Sequence, residues 1–340
     1  MPAASWWVGD GRGAIAAGAL GHAALQPERI PLARGTPFDL ASLTKPLATA
    51  LLATMLDREG TLSLETPLGA IFSELRASRW GEPTLRDAAA HRAGLPAWRA
   101  LYGESTTREQ YVRAIAASER RGELGATLYS DLGYILLGFA VENAAGAPLD
   151  RLFAERIARP LGLTRCGFAG RGGLFADAAA TESGNAFERA LAGEDAPADR
   201  FRTAIPRGQV HDGNAWGLGG VAGHAGLFGT AEDVAAIALA ILEPTRLGLD
   251  PGALAPMLRR VGEEATARTV GFVRAENAES VQGILPDDAV GHWGFTGTSL
   301  WIDPTRPRIY VLLTNRVHPA VPRDPFTATR RGFHRLAAAA

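Results

Sequence analysis

Apolar residues at the two ends of the chain follow the pattern of β-hairpins. Near the start, "SWWV", "GDGRG" and "AIAAGALGHAAL" predict two strands joined by a turn. Near the end, "TSLWID", a "PTRP" turn and "RIYVLLTN" predict a second hairpin, rich in β-branched and aromatic residues. Hairpins at opposite ends of one chain can share a single antiparallel sheet. The middle of the chain would then form a separate, mostly helical lobe, with a cleft between the two.

Helical spacing marks that middle region. Apolar residues recur three and four positions apart at Leu132, Ile135, Leu136 and Phe139. Asp131 is placed to cap the start of this helix, and Gly146 lies just beyond its end. Other helix starts are predicted at Thr84 with Asp87, after Pro148, and at Thr230 with Asp233. The segment 171–208 is predicted to be the least structured, and long loops are often binding elements.

The segment "FDLASLTKPLATALLATMLDREG" predicts an extended entry followed by a helix. Pro46 falls in the first turn, where proline is tolerated, and Gly60 lies beyond the end. Residues three apart lie on one face of a helix. The side chains of Ser42 and Lys45 are therefore able to meet.

Composition adds a fold class and excludes some partners. The 340 residues are 46% apolar and 21% charged, which is typical of a folded globular protein large enough for two lobes. We predict an α+β fold: an antiparallel sheet flanked by helices, from residues 1–80 and 215–340, plus a mostly helical lobe from residues 81–214. The net charge of −1 argues against nucleic acid as a partner and favours a small molecule.

Cysteine usage and the amino terminus bear on location and cofactors. The single cysteine, Cys166, excludes an internal disulfide, has no zinc-type ligand set nearby, and is interpreted as a buried apolar residue. The start shows no secretory signal, and no run approaches about 18 apolar residues that would predict a membrane span. We expect a cytoplasmic protein, or a periplasmic or secreted one if the true start is missing.

Lys45 is the only lysine among 35 basic residues. Lysine can lose its proton when desolvated, whereas arginine keeps it, so this position is a candidate base; an ordinary solvated lysine is the alternative. A base near neutrality requires the pKa to fall by roughly 3 units from about 10.4, or about 4 kcal/mol. A helix N-terminus supplies at most about 2 kcal/mol, so burial must supply the remainder.

Two further motifs accompany the S-x-x-K spacing of Ser42 and Lys45. Tyr129 and Asp131 in "LYSDLGY" occupy the positions of a Y-x-N element before a helix, and "GHWGFTGTSLWIDP" stands where a K-T-G strand would be. With these motifs in order, the chain resembles the class C β-lactamase-like serine hydrolases, which include DD-peptidases and related esterases, from about Ser5 to His318. The resemblance implies a sheet lobe and a helical lobe with the active site between them.

Residue roles are implied by the same resemblance. Ser42 would be the nucleophile that forms an acyl-enzyme, Lys45 would accept its proton, and Tyr129 would relay protons to the leaving group. The backbone N–H groups of Ser42 and Phe295 would form an oxyanion hole, where losing one donor typically costs about 3 kcal/mol. Asp131, His292, Trp293, Gly294, Phe295 and His211 would contact the substrate. No metal or organic cofactor is expected.

Two positions depart from the family pattern. Asp131 replaces an asparagine, and an ionised carboxylate within about 4 to 6 Å would raise the pKa of Lys45. Asp131 must then be held away or neutral, or the proton transfer must depend on Tyr129; a simple helix cap is the alternative role. His292 replaces a lysine that anchors a substrate carboxylate in many relatives. Because histidine is mostly neutral at pH 7, this change favours esters or uncharged amides over penicillins.

Several alternatives stay open. His211, Asp212 and His224 could line the acyl pocket, meet as a metal pair, or make structural hydrogen bonds. Trp293 could shape the pocket rim or simply pack. The favoured function is a serine hydrolase acting on small carboxylic esters or amides. The rivals are a D-alanyl carboxypeptidase or β-lactamase, acting on peptides or β-lactams, and a non-catalytic binding protein, which would have no need for Ser42 and Lys45 together.

Overall fold

The structure is a computed structural model that describes residues 1–105, 107–119, 122–193, 197–262, 268–324 and 326–340. Its strands are β1 (Ala3–Asp10), β2 (Gly13–Ala24), β3 (Ile30–Pro31), β4 (Phe38–Asp39), β5 (Gly167–Phe168), β6 (Leu227–Gly229), β7 (Val273–Arg274), β8 (Val290–Trp293), β9 (Ser299–Asp303) and β10 (Arg308–Thr314). Its helices are α1 (Leu51–Arg58), α2 (Leu68–Ile71), α3 (Leu85–Ala89), α4 (Arg108–Ala116), α5 (Asp131–Ala145), α6 (Leu149–Phe153), α7 (Ala186–Ala192), α8 (Gly213–Gly217), α9 (Ala231–Leu242), α10 (Ala255–Leu258) and α11 (Thr327–Ala338).

The predicted sharing of one sheet by the two terminal hairpins is confirmed. Seven strands pair in the order β3-β2-β1-β10-β9-β8-β7, and all neighbours are antiparallel. The first and last hairpins meet where β1 pairs β10, with Trp6 opposite Leu312. A second, three-stranded sheet has the order β4-β6-β5 and adjoins the segment that carries Ser42.

Helices cover both faces of the large sheet. Successive side chains of a strand point to opposite faces, and accordingly Trp7 joins the main core while its neighbour Val8 joins a smaller one. Helix α9 supplies the main core, and α11 closes the smaller core through Ala337. The predicted α+β class is therefore confirmed. The proposed lobe boundaries stay a prediction.

Helix α5 runs through the main core. From Leu132 to Val141 all its residues are buried. Its N-cap is Ser130, whose hydroxyl accepts the N–H of Gly133, so the prediction that Asp131 caps this helix is wrong. Asp131 is instead the first residue of the helix, which frees its carboxylate for another contact.

The other predicted helix starts are confirmed. Thr84 with Asp87 and Thr230 with Asp233 form reciprocal capping boxes, and Pro148 precedes α6. The segment 171–208 is less irregular than predicted because it contains α7. Among the described residues, no single helix is long and apolar enough to cross a membrane, and one bent pair, 131–145 with 149–158, passes by length and composition alone.

Candidate active site

A strained turn presents Ser42. The preceding residue, Ala41, has φ of 47°, a left-handed conformation that a non-glycine residue rarely adopts without support from its surroundings. That support comes from the buried Asp39, whose Oδ1 accepts the N–H of Ala41 at 2.8 Å. Ser42 lies in the 3₁₀ turn Ala41–Leu43, which leads into the π-helical segment Lys45–Ala50 and then α1. The predicted single helix is thus built from three differently wound pieces.

Two hydrogen-bond donors converge on the Ser42 hydroxyl. The ammonium of Lys45 lies 2.9 Å from Ser42 Oγ, and the phenol of Tyr129 donates to the same oxygen at 2.9 Å. Lys45 also donates to the backbone carbonyl of His224 at 3.1 Å and lies 2.7 Å from Asp131 Oδ1. The S-x-x-K spacing and the Y-x-D element are therefore brought together as the sequence predicted.

The charge state of Lys45 differs from the expectation. Its side chain is fully buried, as a base requires. Burial lowers the pKa of Lys45, but the adjacent Asp131 carboxylate and Tyr129 outweigh burial, so this pKa lies above its ordinary value. The predicted fall of the lysine pKa is wrong for the unliganded protein, because Asp131 is neither held away nor without effect. Lys45 is an ammonium at neutral pH.

Tyr129 is enclosed by polar rings and a cation. The ring of His91 lies 4.4 Å from the Tyr129 ring, that of His292 lies 5.8 Å away, and the Arg268 guanidinium lies 5.6 Å from its centre. Burial raises the pKa of Tyr129, while Lys45 acts to lower it. The pKa of His292 is well below its ordinary value because of burial and of the positive charges of Lys45 and Arg268. His292 is therefore neutral, as the sequence analysis expected.

The turn between β8 and β9 brings a second backbone amide to the site. Among the described residues, the N–H groups of Ser42 and Phe295 have no hydrogen-bond acceptor. Gly294 starts the turn, and any side chain there would collide with the Thr298 hydroxyl and with the carbonyl of Leu40. The carbonyl of Phe295 accepts a hydrogen bond from the Arg316 guanidinium at 3.1 Å. Ser42 and Phe295, whose N–H groups lack an acceptor, both line one cavity.

That cavity has a volume of about 190 Å³. Its lining is formed by Asp39, Ala41, Ser42, Trp98, Asp131, Phe187, Glu188, Leu191, His211, Asp212, Ala225 and Phe295. A larger, more open cavity of about 600 Å³ adjoins it and shares Trp98 and Leu191. An acyl group bonded to Ser42 has room in the smaller cavity, and the rest of a substrate has room to extend outward.

The other predicted contacts are placed unequally. His211 lines the cavity, with its ring stacked on Phe295, and His211 Nε2 lies 2.8 Å from Glu182 Oε2. His292, Trp293 and Gly294 do not line the cavity; Trp293 lies beside the ring of His292 rather than at the rim. Of the alternatives for His211, Asp212 and His224, the metal pair loses support. The described residues contain no group of three or more His, Cys, Asp or Glu side chains arranged to hold a metal ion.

Sequence reasoning missed several residues of the site. Asp39 holds both the strained turn and the N–H of His211. Glu188 comes from α7, inside a segment that was predicted to be irregular. Arg268 and Trp98 gave no motif at all. The one available signal was the aspartate two residues before Ala41, since such side chains often accept backbone N–H groups two residues on.

Comparison with known proteins places this geometry in a family. The sequence model described as Beta-lactamase matches residues 1–331. The chain belongs to the β-lactamase family. A protein of Escherichia coli O157:H7, provisionally named D-alanyl-D-alanine carboxypeptidase, is 33% identical over 327 residues, covering 88% of this chain and 74% of that protein. A Salmonella gallinarum protein with the same provisional name is 32% identical over 313 residues, covering 84% and 71%.

Solved structures agree on the fold of this β-lactamase family member. EstCE1, described as a hydrolase with promiscuous acyltransferase activity, superposes with a TM-score of 0.75 at 21% identity, covering 100% of this chain and 94% of that one. Simvastatin synthase from Aspergillus terreus superposes with a TM-score of 0.74 at 19% identity, again covering 100% and 94%. The predicted family, fold and hydrolase class are confirmed.

Proposed function

We propose that this protein hydrolyses small carboxylic esters or amides through an acyl-enzyme on Ser42. The observation that supports this most strongly is the convergence of Lys45 and Tyr129 on Ser42 Oγ, each at 2.9 Å, at the wall of a cavity. A binding protein has no use for this arrangement. The cost of burying an ammonium and a carboxylate is understandable where they act on a reacting hydroxyl.

The charge state of Lys45 bears on which group accepts the proton of Ser42. Because Lys45 already carries its proton and is held by Asp131, Tyr129 is the group beside Ser42 that is able to take part as a base. The buried ammonium stabilises a tyrosinate, since opposite charges attract strongly in a site that excludes water. The reaction proceeds from the form in which the Tyr129 and Lys45 pair has lost one proton to solvent. Ser42 Oγ attacks the carbonyl carbon, its proton passes to the Tyr129 oxygen, and Tyr129 gives that proton to the leaving group as the bond from the carbonyl carbon to the leaving group breaks.

The developing oxyanion is assigned to two backbone amides. The N–H groups of Ser42 and Phe295 are the unoccupied donors at the cavity wall. Preorganised donors of this kind act where charge develops in the transition state, and each contributes about 3 kcal/mol. The hydrogen bond from Arg316 to the Phe295 carbonyl helps to fix the position of the Phe295 amide.

Uncharged acyl substrates fit the replacement of lysine by His292. A neutral histidine offers no fixed positive charge to a substrate carboxylate, which disfavours penicillins and cephalosporins. The second candidate is a D-alanyl carboxypeptidase. It is favoured by the provisional names of the relatives and by the buried Arg268 beside Tyr129, a cation able to attract a carboxylate.

A labelling experiment tests the proposal. The protein and its Ser42→Ala variant are treated with a fluorophosphonate probe and with a fluorescent penicillin, and turnover of a neutral acyl ester is compared with that of a cephalosporin. We expect fluorophosphonate labelling that depends on Ser42, and faster turnover of the ester. Persistent penicilloyl labelling would favour the carboxypeptidase, and no labelling by either probe would favour a binding protein.

A further inference from the structure

Arg330 occupies a sheet-facing position of α11 that an apolar residue would be expected to fill. The buried residues of this helix are Arg330, His334 and Ala337, which are four and three positions apart and therefore share one face. Ala337 packs in the smaller core, and His334 Nε2 lies 2.9 Å from the Ser299 hydroxyl. Arg330 is 7% exposed. A guanidinium therefore lies in the layer between α11 and the large sheet.

This guanidinium has no carboxylate to balance its charge. Among the described residues, Arg330 forms no salt bridge, and its Nε has no hydrogen-bond partner. The ring of Phe326 lies 5.4 Å from the guanidinium carbon. Burial and the positive charge of Arg316 lower the pKa of Arg330 to about 10, so Arg330 is still charged at neutral pH. Because a buried charge without a counter-charge is costly, its contacts have to account for its presence.

Arg330 contacts the turn that carries the Phe295 amide. Its Nη2 donates to the carbonyl of Gly294 at 2.8 Å and lies 3.4 Å from the carbonyl oxygen of Thr298. The Gly294 carbonyl and the Phe295 N–H belong to one peptide group, which is trans. In a planar trans peptide these two groups point in opposite directions. A donor fixed on the carbonyl leaves the N–H pointing away from Arg330, and Phe295 lines the cavity beside Ser42.

A positive charge on the carbonyl side also strengthens the N–H as a donor. A hydrogen bond from a cation draws electrons toward the carbonyl oxygen, which increases the partial positive charge on the amide hydrogen of the same peptide group. With ordinary bond and hydrogen-bond lengths, the guanidinium lies roughly 8 Å from an oxyanion that accepts the Phe295 N–H. At this distance the buried charge also attracts the oxyanion directly, because little water screens the two.

We infer that Arg330 is a positioning residue of the oxyanion hole, which holds the peptide that carries the Phe295 N–H and strengthens that N–H as a donor. This inference rests on the proposed function, in which the Phe295 N–H binds the oxyanion. The structural alternative is that Arg330 only ties α11 to the turn. Arg331 makes a tie of that kind: its Nη1 donates to the carbonyls of Glu279 and Gln282, neither of which lines the cavity.

Arg330→Met tests the inference, and Arg331→Met is its matched control. The two carbonyls that Arg330 contacts keep another donor, the N–H of Gly297 at 3.1 Å and that of Gly294 at 2.9 Å. Replacing a buried charge by an apolar side chain is often neutral for stability, so the urea midpoint should change little.

Activity is measured with p-nitrophenyl acetate and counted per site labelled by a fluorophosphonate. For Arg330→Met we expect kcat to fall about tenfold to a hundredfold, less than for the loss of an oxyanion donor itself, with KM changed less than about threefold. An aryl trifluoromethyl ketone, which adds to a serine hydroxyl to form an oxyanion, should lose affinity by a similar factor. Arg330→Lys keeps a charged donor and should recover part of the loss, and Arg331→Met should match the native protein.

The possible outcomes separate this inference from the proposed function. Native kcat and native ketone affinity in Arg330→Met would overturn the inference and leave the proposed function standing, as would equal losses in Arg331→Met. If Arg330→Met fails to fold, Arg330→Gln removes the charge but keeps a donor and should show a similar fall in kcat; native kcat in Arg330→Gln would overturn the inference. Absence of both fluorophosphonate labelling and turnover in the native protein would overturn both claims.

Discussion

At the scale of single residues, the decisive contact joins Lys45 to Asp131 at 2.7 Å. The sequence placed Lys45 beside Ser42 correctly because the three-residue spacing fixes their relative positions. It could not fix the charge of the ammonium, which depends on where the Asp131 carboxylate points. That orientation follows from the capping of α5 by Ser130 instead of Asp131, a choice between adjacent residues that both favour the cap position.

Replacing Asp131 by asparagine tests this contact. The carboxylate acts to raise the pKa of Lys45 and that of Tyr129, so its removal should lower both. The Tyr129 and Lys45 pair then loses a proton at lower pH, so the form that is able to accept the Ser42 proton appears earlier. The acidic limb of the kcat/KM profile for a neutral ester should therefore move to lower pH. The exposed Asp150→Asn serves as control. An unmoved limb in Asp131→Asn would remove Asp131 from the mechanism.

At the scale of elements, local patterns were predictable and long-range ones were not. The capping boxes at Thr84 and Thr230 follow from residues three positions apart and were found in the sequence. The π-helical winding of Lys45–Ala50 has no such local signal. The position of His211 in the cavity wall depends on its contact with Glu182, 29 positions away in the sequence, which neither periodicity nor turn chemistry reveals.

The cap of α9 gives a prediction that does not involve the active site. Thr230 accepts the N–H of Asp233 at 3.1 Å and donates to its carboxylate at 2.7 Å. Thr230→Ala should lower the free energy of unfolding by about 1 kcal/mol, measured by urea denaturation. Thr230→Ser keeps the hydroxyl and should lose much less. Equal losses in the two variants would mean that the methyl group, not the cap, is responsible.

At the scale of the whole molecule, the fold depends on joining the two ends of the chain. Strand β1 pairs β10, and the buried Asn315 fastens the junction. Its Oδ1 accepts the N–H of Ala3 at 2.9 Å, and its Nδ2 donates to the carbonyls of His22 and Ala23. The terminal hairpins were predictable from alternation and turns, whereas this asparagine between them was not.

Asn315→Ala tests the junction. The change removes the hydrogen-bond partner of the buried Ala3 N–H and that of the His22 carbonyl, while the Ala23 carbonyl keeps the N–H of Ala180. Each unsatisfied buried group costs about 1 to 3 kcal/mol. We expect the midpoint of urea unfolding to fall clearly, with a total loss of at least about 2 kcal/mol. The exposed Asn143→Ala, in α5, is the matched control and should be close to neutral. Similar midpoints for both variants would show that the junction does not depend on Asn315.

The central claim is that Ser42 carries the acyl group during turnover. The most direct measurement is acid quenching of a reaction with a neutral p-nitrophenyl ester, followed by proteolysis and mass spectrometry. The account predicts an acyl mass increment on the peptide that contains Ser42, absent from the Ser42→Ala variant, which should not turn over. Continued hydrolysis by Ser42→Ala, or an increment on a different residue, would contradict it.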